Sequence, residues 1–327
     1  MITKKILYWY DNNKRSLPWR NKCSLKQKEY FTLVSEFMLQ QTQVKTVIPY
    51  FNNFLKNIPN FQALANINET KLLRHWQGLG YYSRAKNLKK SARLIIDKYN
   101  GRLPKDYEEL KKLPGVGDYT ASAISSIVFN KQIIPLDGNI ERLLKRILNL
   151  KTEKKIKKEN LHKEKKIVFG QTSRSNDYVQ ALMEIGALLC KPKNPNCEKC
   201  PITKNCLSFK RKDFEIKKKN KKITNKFYLA TLYKNKNQLL LIKNQKFNFL
   251  KNLLIFPMKE ITHSDSLLRS SKKLNVKMSN MNMNISVDLL NTKNKAKDGL
   301  WIEKSKLENY VIPTFTKKIF EAVKHNL

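Results

Sequence analysis

The spacing of apolar residues changes once along the chain, and the change predicts a helical region followed by strands. Up to about residue 207, apolar positions recur every three or four residues, as at Phe31, Val34 and Met38, which is the period of an amphipathic helix. Prolines and glycines interrupt this pattern and mark the ends of helices. From residue 227 the apolar runs become short. The runs FYLATLY and QLLLIK, separated by Lys-Asn-Lys-Asn, predict a β-hairpin.

The change of pattern predicts a multidomain protein. We expect a mostly α-helical region over residues 1–207, a basic linker over 208–225 and a smaller α+β domain over 226–327. The chain has 327 residues, of which 41% are hydrophobic, so each domain can bury its own core. There is no N-terminal signal pattern and no apolar run long enough to span a bilayer, so we expect a cytoplasmic protein with no membrane partner.

The charge of the chain favours a polyanionic partner. Lysine plus arginine number 66 against 26 for aspartate plus glutamate, a net charge of +40. Such a field attracts nucleic acid first, and a membrane surface less well because the basic runs have no apolar partner face. Two ordinary explanations stay open: the lysine excess can reflect genome base composition, and a basic run is often a solvated segment.

Four of the five cysteines lie within 17 residues, with six, two and five residues between them: Cys190, Cys197, Cys200 and Cys206. Thiolates this close repel one another unless a cation lies between them. The spacing therefore predicts a metal or iron–sulfur site in a reducing compartment. Cysteine ligation with a C-x2-C element suits zinc as well as a cluster, so the spacing alone leaves the metal open.

The segment Leu113-Pro114-Gly115-Val116-Gly117 is a candidate for contact with a phosphate backbone. Its two glycines permit a sharp turn between a helix predicted at about 106–112 and a second helix that follows. The free N–H groups at the start of that second helix can hold a phosphate oxygen. The pattern predicts a helix–hairpin–helix that holds one DNA strand without reading its sequence. A plain helical hairpin is the alternative.

Two carboxylates stand out by their surroundings. Asp137 follows an apolar run and precedes a predicted helix, the position of an N-cap, and we expect the helix N-terminus to keep it ionised. An ionised carboxylate can stabilise a sugar oxocarbenium ion. Glu36 is followed by the apolar residues 37–39, and an apolar environment would raise its pKa until it carries a proton near neutral pH. The alternative for Glu36 is an exposed helical glutamate.

Taken together, the LPGVG segment, an aspartate twenty residues after its second glycine and the cysteine spacing resemble the helix–hairpin–helix superfamily of DNA glycosylases. Within it, residues 35–44 (SEFMLQQTQV) resemble the MutY-type adenine glycosylases, and so do residues 17–20, 78–85, 136–139 and 181–187. The resemblance implies a [4Fe–4S] cluster on the four cysteines. It also implies excision of adenine mispaired with 8-oxoguanine or guanine in double-stranded DNA, as part of base excision repair. We expect a monomer associated with the nucleoid.

The resemblance assigns catalytic roles to four residues. Glu36 would protonate adenine N7, Asp137 would stabilise the cationic sugar, Tyr119 would hydrogen-bond near the sugar, and Asn139 would order the acid or the water. The branch similar to endonuclease III has a lysine at the position of Tyr119 and forms a Schiff base with the sugar. Tyrosine has no such amine, which implies a monofunctional hydrolase. The alternatives are a glycosylase/lyase for oxidised pyrimidines and a non-catalytic DNA-binding iron–sulfur protein.

The resemblance also implies contacts with DNA, for which solvent exposure or core packing is the ordinary alternative. Gln40 and Gln41 would fill the space left by the extruded base, and Tyr81 would stack beside 8-oxoguanine. The adenine pocket would be lined by Trp19, Arg20 and Glu184. The Val116 and Gly117 amides would bind phosphate through a hydrated cation.

The C-terminal region resembles the Nudix-like domain that reads 8-oxoguanine in this family, most clearly over residues 249–257. The glutamate cluster of a true Nudix box is missing, so no Mg²⁺-dependent pyrophosphohydrolase activity is expected. Ser279 would donate a hydrogen bond to the oxidised base. Met278 and Asn280 stand where the family has an aromatic residue and a histidine, which leaves the discrimination of 8-oxoguanine from guanine open. A generic basic docking module is the alternative.

Overall fold

A computed structural model of the chain divides it into two compact units. The helical unit comprises Met1–Ile67 and Lys86–Lys219, and the sheet unit comprises Asn68–Ala85 and Asn220–Leu327. The structure describes residues 2–151, 172–216, 223–267, 272–278, 280–293 and 298–326. Residues 68–85, which the sequence analysis placed in the helical region, are thus grouped with the sheet unit, and the exact domain boundaries stay a prediction.

Helices dominate the described residues 2–151 and 172–216, as the apolar period predicts. The helices in the described part of this region are α1 (Ile2–Asn13), α2 (Leu25–Leu39), α3 (Val44–Asn57), α4 (Phe61–Asn66), α5 (Glu69–Trp76), α6 (Ser83–Tyr99), α7 (Tyr107–Lys111), α8 (Asp118–Ile127), α9 (Gly138–Ile147), α10 (Ser175–Glu184) and α11 (Leu207–Lys210). Helix α5 and the first three residues of α6 belong to the sheet unit. A 3₁₀ turn (Pro18–Arg20) precedes α2, and a π-helical turn (Ile185–Leu189) follows α10.

Local sequence signals explain where several of these helices begin. Ser24 and Gln27 form a reciprocal capping box at the start of α2. The Asp106 side chain accepts hydrogen bonds from two amides at the start of α7, and Asp137 does the same for α9. The predicted N-cap role of Asp137 is therefore confirmed, and so is the predicted helix before the LPGVG turn.

The core that supports α9 and α10 is apolar and continuous. Helices α1, α9 and α10 contribute side chains that are almost fully buried, among them Ile6, Tyr10, Ile140, Leu144, Tyr178 and Leu182. Burying such side chains stabilises the fold by roughly 1.5–3 kcal/mol each. The N-terminus of α9 and the end of α10 are consequently held on a rigid base.

An ion pair between the buried Glu29 and the half-exposed Arg102 ties α2 to the loop after α6. Glu29 is 1% exposed and accepts three hydrogen bonds from Arg102, at 2.6 to 3.1 Å, and one from the Leu103 amide at 2.9 Å. We expect Arg102→Ala to lower the free energy of unfolding by about 2 kcal/mol, because the buried carboxylate loses its charged hydrogen-bond donor and keeps only the Leu103 amide. Urea denaturation measures this. Arg93→Ala removes an exposed arginine from α6 and should change the free energy by less than about 0.5 kcal/mol. Equal effects of the two variants would contradict the prediction.

The sheet unit is built on a mixed sheet, in agreement with the predicted α+β class. Its strands are β1 (Thr224–Asn235), β2 (Gln238–Lys243), β3 (Leu254–Ile255), β4 (Met258–Ile261), β5 (Lys272–Met278), β6 (Met281–Asn291) and β7 (Leu300–Glu303). The order is β3-β2-β1-β6-β5, with β4 paired to β1 and β7 paired to β2. Strands β1 and β6 are parallel, and the other pairs are antiparallel.

The predicted hairpin is confirmed, since β1 and β2 pair antiparallel with Asn235 opposite Gln238. Helix α12 (His263–Leu267) follows β4, and helix α13 (Thr314–Val323) packs its buried residues Phe315 and Ile319 into the core of the sheet unit. Among the helices of the described residues, none is both long and apolar enough to cross a membrane.

Candidate active site

One cleft in the helical unit brings together six of the predicted site residues. It has a volume of about 1050 Å³, at the upper end of the range of roughly 300–1,000 Å³ that is usual for small-molecule sites. Its walls come from the 3₁₀ turn before α2, from α2 and from the starts of α8, α9 and α10. The predicted residues that line it are Trp19, Arg20, Glu36, Tyr119, Asp137 and Asn139.

Glu36 is buried in α2, with only 6% of its surface exposed. This burial raises the pKa of its carboxyl to about 7, and a hydrogen bond with Tyr119 opposes the shift. The charge of Asp137 raises the same pKa, and the charge of Arg20 lowers it. The upward shift predicted from the apolar neighbours of Glu36 is confirmed. A carboxyl group of this kind holds a proton near neutral pH and can release it to a base.

Tyr119 is the second residue of α8 and lines the same cleft as Glu36. Burial raises the pKa of its phenol well above the ordinary value, and the charges of Glu36 and Asp137 raise it further. The phenol therefore stays protonated at neutral pH and can act as a hydrogen-bond donor. It offers no amine for a Schiff base.

Asp137 occupies the N-cap of α9. Its Oδ1 accepts hydrogen bonds from the amides of Asn139 at 3.0 Å and Ile140 at 2.7 Å. Burial nevertheless raises the pKa of Asp137, and these cap hydrogen bonds only reduce the shift. The cap hydrogen bonds favour the ionised form of Asp137, as its position at the helix N-terminus predicts, and burial of the carboxylate opposes them. That Asp137 is ionised at neutral pH stays a prediction.

Asn139 links Asp137 to an arginine that the sequence analysis did not single out. The side-chain Nδ2 of Asn139 donates a hydrogen bond to Asp137 Oδ2 at 3.2 Å, and the side-chain Oδ1 of Asn139 accepts one from Arg142 Nη2 at 2.9 Å. Arg142 also donates to the carbonyls of Gly186 at 2.6 Å and Cys190 at 2.7 Å. A Cβ added to Gly186 would lie 3.0 Å from Asn139, so glycine permits the close approach to α9. Arg142 thus connects the Asp137 region to the cysteine segment.

Glu184 organises positive charge at the wall of the cleft. It is fully buried and accepts hydrogen bonds from Arg15 at 2.7 and 3.0 Å and from Arg20 at 2.7 Å. Both arginines line the cleft, whereas Glu184 itself is not among the lining residues. Trp19 beside them packs edge-on against Phe51, with ring centroids 5.3 Å apart. Arg15 was missed because no short motif relates residues that lie 169 positions apart.

The two glycines of the hairpin between α7 and α8 have different roles. Gly115 has φ +82°, and an added Cβ would lie 2.8 Å from Phe37 and 2.9 Å from Asn87, so the fold itself requires glycine there. Gly117 has φ −93°, which any residue can adopt, and an added Cβ would meet nothing within 4 Å. Within the helical unit, folding therefore does not account for glycine at position 117.

The residues around this hairpin are partly engaged with one another. The Val116 amide donates to the Leu113 carbonyl at 3.0 Å, which occupies the N–H group that the sequence analysis assigned to phosphate. Gln40 Nε2 donates to the Gly115 carbonyl at 3.4 Å. Gln41 is exposed and has φ +58°, a left-handed conformation that costs a non-glycine residue energy.

Tyr81 and Ser279 complete the predicted set. Tyr81 belongs to the sheet unit, is 47% exposed and also has a left-handed backbone, with φ +47°. The guanidinium of Arg84 lies 5.6 Å from its ring centroid and donates to the carbonyls of Leu79 and Gly80. These contacts of Arg84 stabilise the backbone of the loop that contains Tyr81, and the Tyr81 ring stays accessible. Ser279 lies outside the described residues.

The four clustered cysteines line one small cavity in the helical unit, bordered by Arg146, Phe209 and Phe214. Burial, with a smaller contribution from the charges of the neighbouring thiols, raises the pKa of Cys200 to about 11. Such thiols remain protonated unless a cation binds them. No group of three or more histidine, cysteine, aspartate or glutamate side chains in the described ranges is arranged to hold a metal ion.

Comparison with known proteins places this cleft in a family. Residues 34–167 match the HhH-GPD superfamily of base excision DNA repair proteins. The adenine DNA glycosylase of Buchnera aphidicola subsp. Baizongia pistaciae is 39% identical over 283 residues, covering 85% of this chain and 79% of the relative. That of subsp. Schizaphis graminum is 33% identical over 349 residues, covering 99% of both chains.

A solved DNA glycosylase structure has a similar fold. The structure of a thermostable thymine-DNA glycosylase superposes with a TM-score of 0.56 at 27% identity, covering 64% of this chain and 95% of that one. The full-length match to curated relatives and the match to the repair superfamily lead to one conclusion: the chain belongs to the adenine DNA glycosylases, enzymes of base excision repair.

Proposed function

We propose that the protein is a monofunctional glycosylase that hydrolyses the N-glycosidic bond of adenine mispaired with 8-oxoguanine or guanine in double-stranded DNA. One observation carries the proposal: Glu36 with a raised pKa and Asp137 at a helix N-terminus line the same cleft, with tyrosine at position 119. The cleft is large enough for an extruded purine nucleotide. Enzymes that act on a base in duplex DNA rotate it out of the stack into such a pocket.

Glu36 supplies the proton in this mechanism. Adenine is a poor leaving group until a ring nitrogen is protonated, and the carboxyl group of Glu36 is protonated near neutral pH. Transfer of that proton to adenine N7 lets the glycosidic electron pair leave with the base. Tyr119 lines the cleft beside Glu36, and its neutral phenol has one hydrogen bond to donate, to Glu36 before the proton transfer or to the sugar side of the pocket after it.

Asp137 acts on the sugar after the bond breaks. The departing base leaves an oxocarbenium-like cation, and a carboxylate held beside it by fixed hydrogen bonds stabilises such a charge. Asn139 orients this carboxylate by donating to its Oδ2. Water adds to C1′, releases a proton and leaves an abasic site. Because no lysine amine stands at position 119, no Schiff base forms there and the strand stays intact.

Positive charge would bind the phosphates of the DNA. Several cations line the mouth of the cleft, namely Lys14, Arg15, Lys22, Lys28 and Lys45. Cations that neutralise phosphates make binding dependent on salt. Gln41 and Tyr81 are exposed, and both have left-handed backbone conformations. Gln41 would fill the space that the extruded adenine leaves in the base stack, and Tyr81 would contact the base opposite adenine. The protein would work on DNA as a monomer.

The four cysteines would hold a [4Fe–4S] cluster. Four thiols around one cavity are the donor set of such a cluster. Each thiolate of a cluster binds a different iron atom, so the four sulfurs enclose a body larger than a single ion. When bound, the cluster would tie residues 190–206 into a rigid loop beside α9.

The sheet unit would be a Nudix-like domain that reads the base opposite adenine. Its mixed sheet, with α13 packed against one face, is compatible with that fold. Ser279 would provide the hydrogen bond to 8-oxoguanine. The ratio of the excision rates opposite 8-oxoguanine and opposite guanine would measure this recognition.

Two assays test the proposed function. Single-turnover excision on duplexes with adenine opposite 8-oxoguanine, guanine, cytosine or thymine, at one stated salt concentration, should be fastest for the first two. Borohydride should give no efficient covalent adduct between protein and DNA. Efficient trapping would instead identify the glycosylase/lyase alternative, and equal rates on all four duplexes would contradict the mispair specificity.

The Gly117 position gives a separate prediction for DNA binding. Gly117→Ala should leave the stability unchanged, because the added Cβ has open space and an ordinary φ. If a phosphate approaches this N-terminus of α8, the same methyl group should weaken binding to a mispair duplex about tenfold, or ~1.4 kcal/mol. Gly115→Ala, which clashes with the core, should instead lower the stability. Unchanged duplex affinity in a stable Gly117→Ala variant would contradict the hairpin contact.

A further inference from the structure

A buried arginine stands between α9 and the cysteine cavity without a role in the mechanism above. Arg146 lies in the last turn of α9 and is 4% exposed. Its guanidinium donates to the carbonyls of Lys191 at 2.6 Å, Pro192 at 2.9 Å and Phe214 at 3.2 Å. The same group lies 3.5 Å from Cys190 Sγ and donates a hydrogen bond to it.

These contacts hold both ends of the cysteine segment to one side chain. Lys191 and Pro192 follow the first cysteine, and Phe214 lies eight positions after the last one. The main-chain carbonyl of Arg146 accepts a hydrogen bond from the Cys206 thiol at 3.3 Å. The guanidinium also lies 5.7 Å from the centroid of the Phe214 ring, which borders the cavity. Arg146 therefore sits where the segment enters and leaves the cavity.

The charge of Arg146 has no counter-ion among these contacts. Its hydrogen-bond partners in the described chain are three neutral carbonyls and one sulfur. A buried cation is costly unless an anion compensates it. Thiolates that ligate a metal cluster would provide that anion at the contact already present, since a thiolate accepts a charge-assisted hydrogen bond from guanidinium.

We propose that Arg146 is a positioning residue of the iron–sulfur site, which fixes the Cys190 sulfur and balances the negative charge of the bound cluster. The inference rests on the proposed cofactor. The proposed role distinguishes Arg146 from Arg142, which lies one helical turn earlier. The side chain of Arg142 contacts the Cys190 carbonyl and Asn139, and Asn139 in turn contacts the Asp137 carboxylate in the cleft. The proposed role also distinguishes Arg146 from the adjacent Lys145, whose charge is paired with Glu141 at 2.9 Å.

The test uses the full chain purified without oxygen and two substitutions. Arg146→Lys keeps the charge but loses the planar fork that reaches three acceptors at once. Arg146→Met removes the charge and keeps much of the volume. Arg211→Lys changes an exposed arginine at the end of α11, five residues after the last cysteine, and is the matched control. The measurements are iron and sulfide per chain, the rate at which an oxidant and a chelator bleach the visible absorption, and the reduction potential of the cluster.

We expect wild type and Arg211→Lys to contain iron and sulfide and to bleach at the same rate. Arg146→Lys should bleach roughly 10–100-fold faster, the usual penalty for removing a group that supports a metal ligand. Its reduction potential should become more negative, because the lost hydrogen bond to sulfur no longer stabilises the added electron. Arg146→Met should lose most of its iron. If Arg146 contributed to folding alone, its substitution by lysine would not change the reduction potential of the cluster.

The outcomes distinguish the two proposals. Wild-type protein without iron or sulfide would overturn the proposed cofactor and this inference with it. Wild type with a cluster, together with an Arg146→Lys variant whose bleaching rate and potential match those of Arg211→Lys, would overturn the inference about Arg146 and leave the cofactor intact.

Discussion

Replacing Glu36 with glutamine should reduce single-turnover excision of adenine roughly 10³-fold, within the range attributed to general acid catalysis. Glutamine has nearly the shape of the protonated carboxyl group and carries no proton of comparable acidity. The residue is buried in α2, so the neutral amide should not disturb the helix or cost stability. Affinity for a mispair duplex, measured by fluorescence anisotropy, should remain within a few-fold of wild type.

The control for this substitution is Glu108→Gln. Glu108 is an exposed glutamate on α7, so the variant makes the same glutamate-to-glutamine change outside the cleft. It should excise adenine at the wild-type rate. A Glu36→Gln variant that kept full activity would remove the central assignment of the mechanism, whereas a variant that neither folds nor binds DNA would show that position 36 supports the structure.

The pH dependence of the excision rate follows from the ionisation of the Glu36 carboxyl group. Burial holds the pKa of Glu36 at about 7, above its ordinary value. The acid is therefore protonated below pH 7 and ionised above it. The excision rate should be highest on the acidic side and fall about tenfold per pH unit well above pH 7. The residual rate of Glu36→Gln should lack this descending limb, and an unchanged pH profile in that variant would assign the titration to another group.

Features decided within one or two helical turns could be predicted from the sequence. The apolar period located α2, the Asp137 cap located the start of α9, and the hydrophobic neighbours of Glu36 indicated its raised pKa. The hairpin of the sheet unit followed in the same way from two short runs and the polar residues between them. Such signals depend on neighbours in sequence, which the chain displays directly.

Partners brought together by the tertiary fold could not be predicted. Arg15 reaches Glu184 across 169 positions, and Arg142 reaches Cys190 across 48. The burial of Asp137 also depends on the packing around α9, and this burial raises the pKa of Asp137 against the effect of its cap hydrogen bonds. Charged residues at a distance carry no periodic signal, so only the folded chain reveals which of many arginines are buried.

Asp137→Asn should lower the rate of excision by roughly 10²–10³-fold, the loss typical of removing one electrostatic stabiliser of a transition state. Asparagine is as good an N-cap as aspartate, and its carbonyl can still accept from the amides of Asn139 and Ile140, so α9 should remain intact. What disappears is the negative charge that stabilises the sugar cation. The new amide would also face the Asn139 donor that now binds Oδ2.

The matched control for this prediction is Asp106→Asn, at the exposed N-cap of α7, whose Oδ1 accepts hydrogen bonds from the amides of Glu108 at 2.9 Å and Glu109 at 3.0 Å. Both variants replace an aspartate N-cap with asparagine, but only Asp137→Asn changes a residue that lines the cleft. Circular dichroism and urea denaturation should show both variants folded, with near wild-type duplex affinity. Asp106→Asn should excise adenine normally. If Asp137→Asn lost no more activity than Asp106→Asn, the carboxylate at position 137 would be a helix cap alone, and stabilisation of the sugar cation would have to come from another group in the cleft.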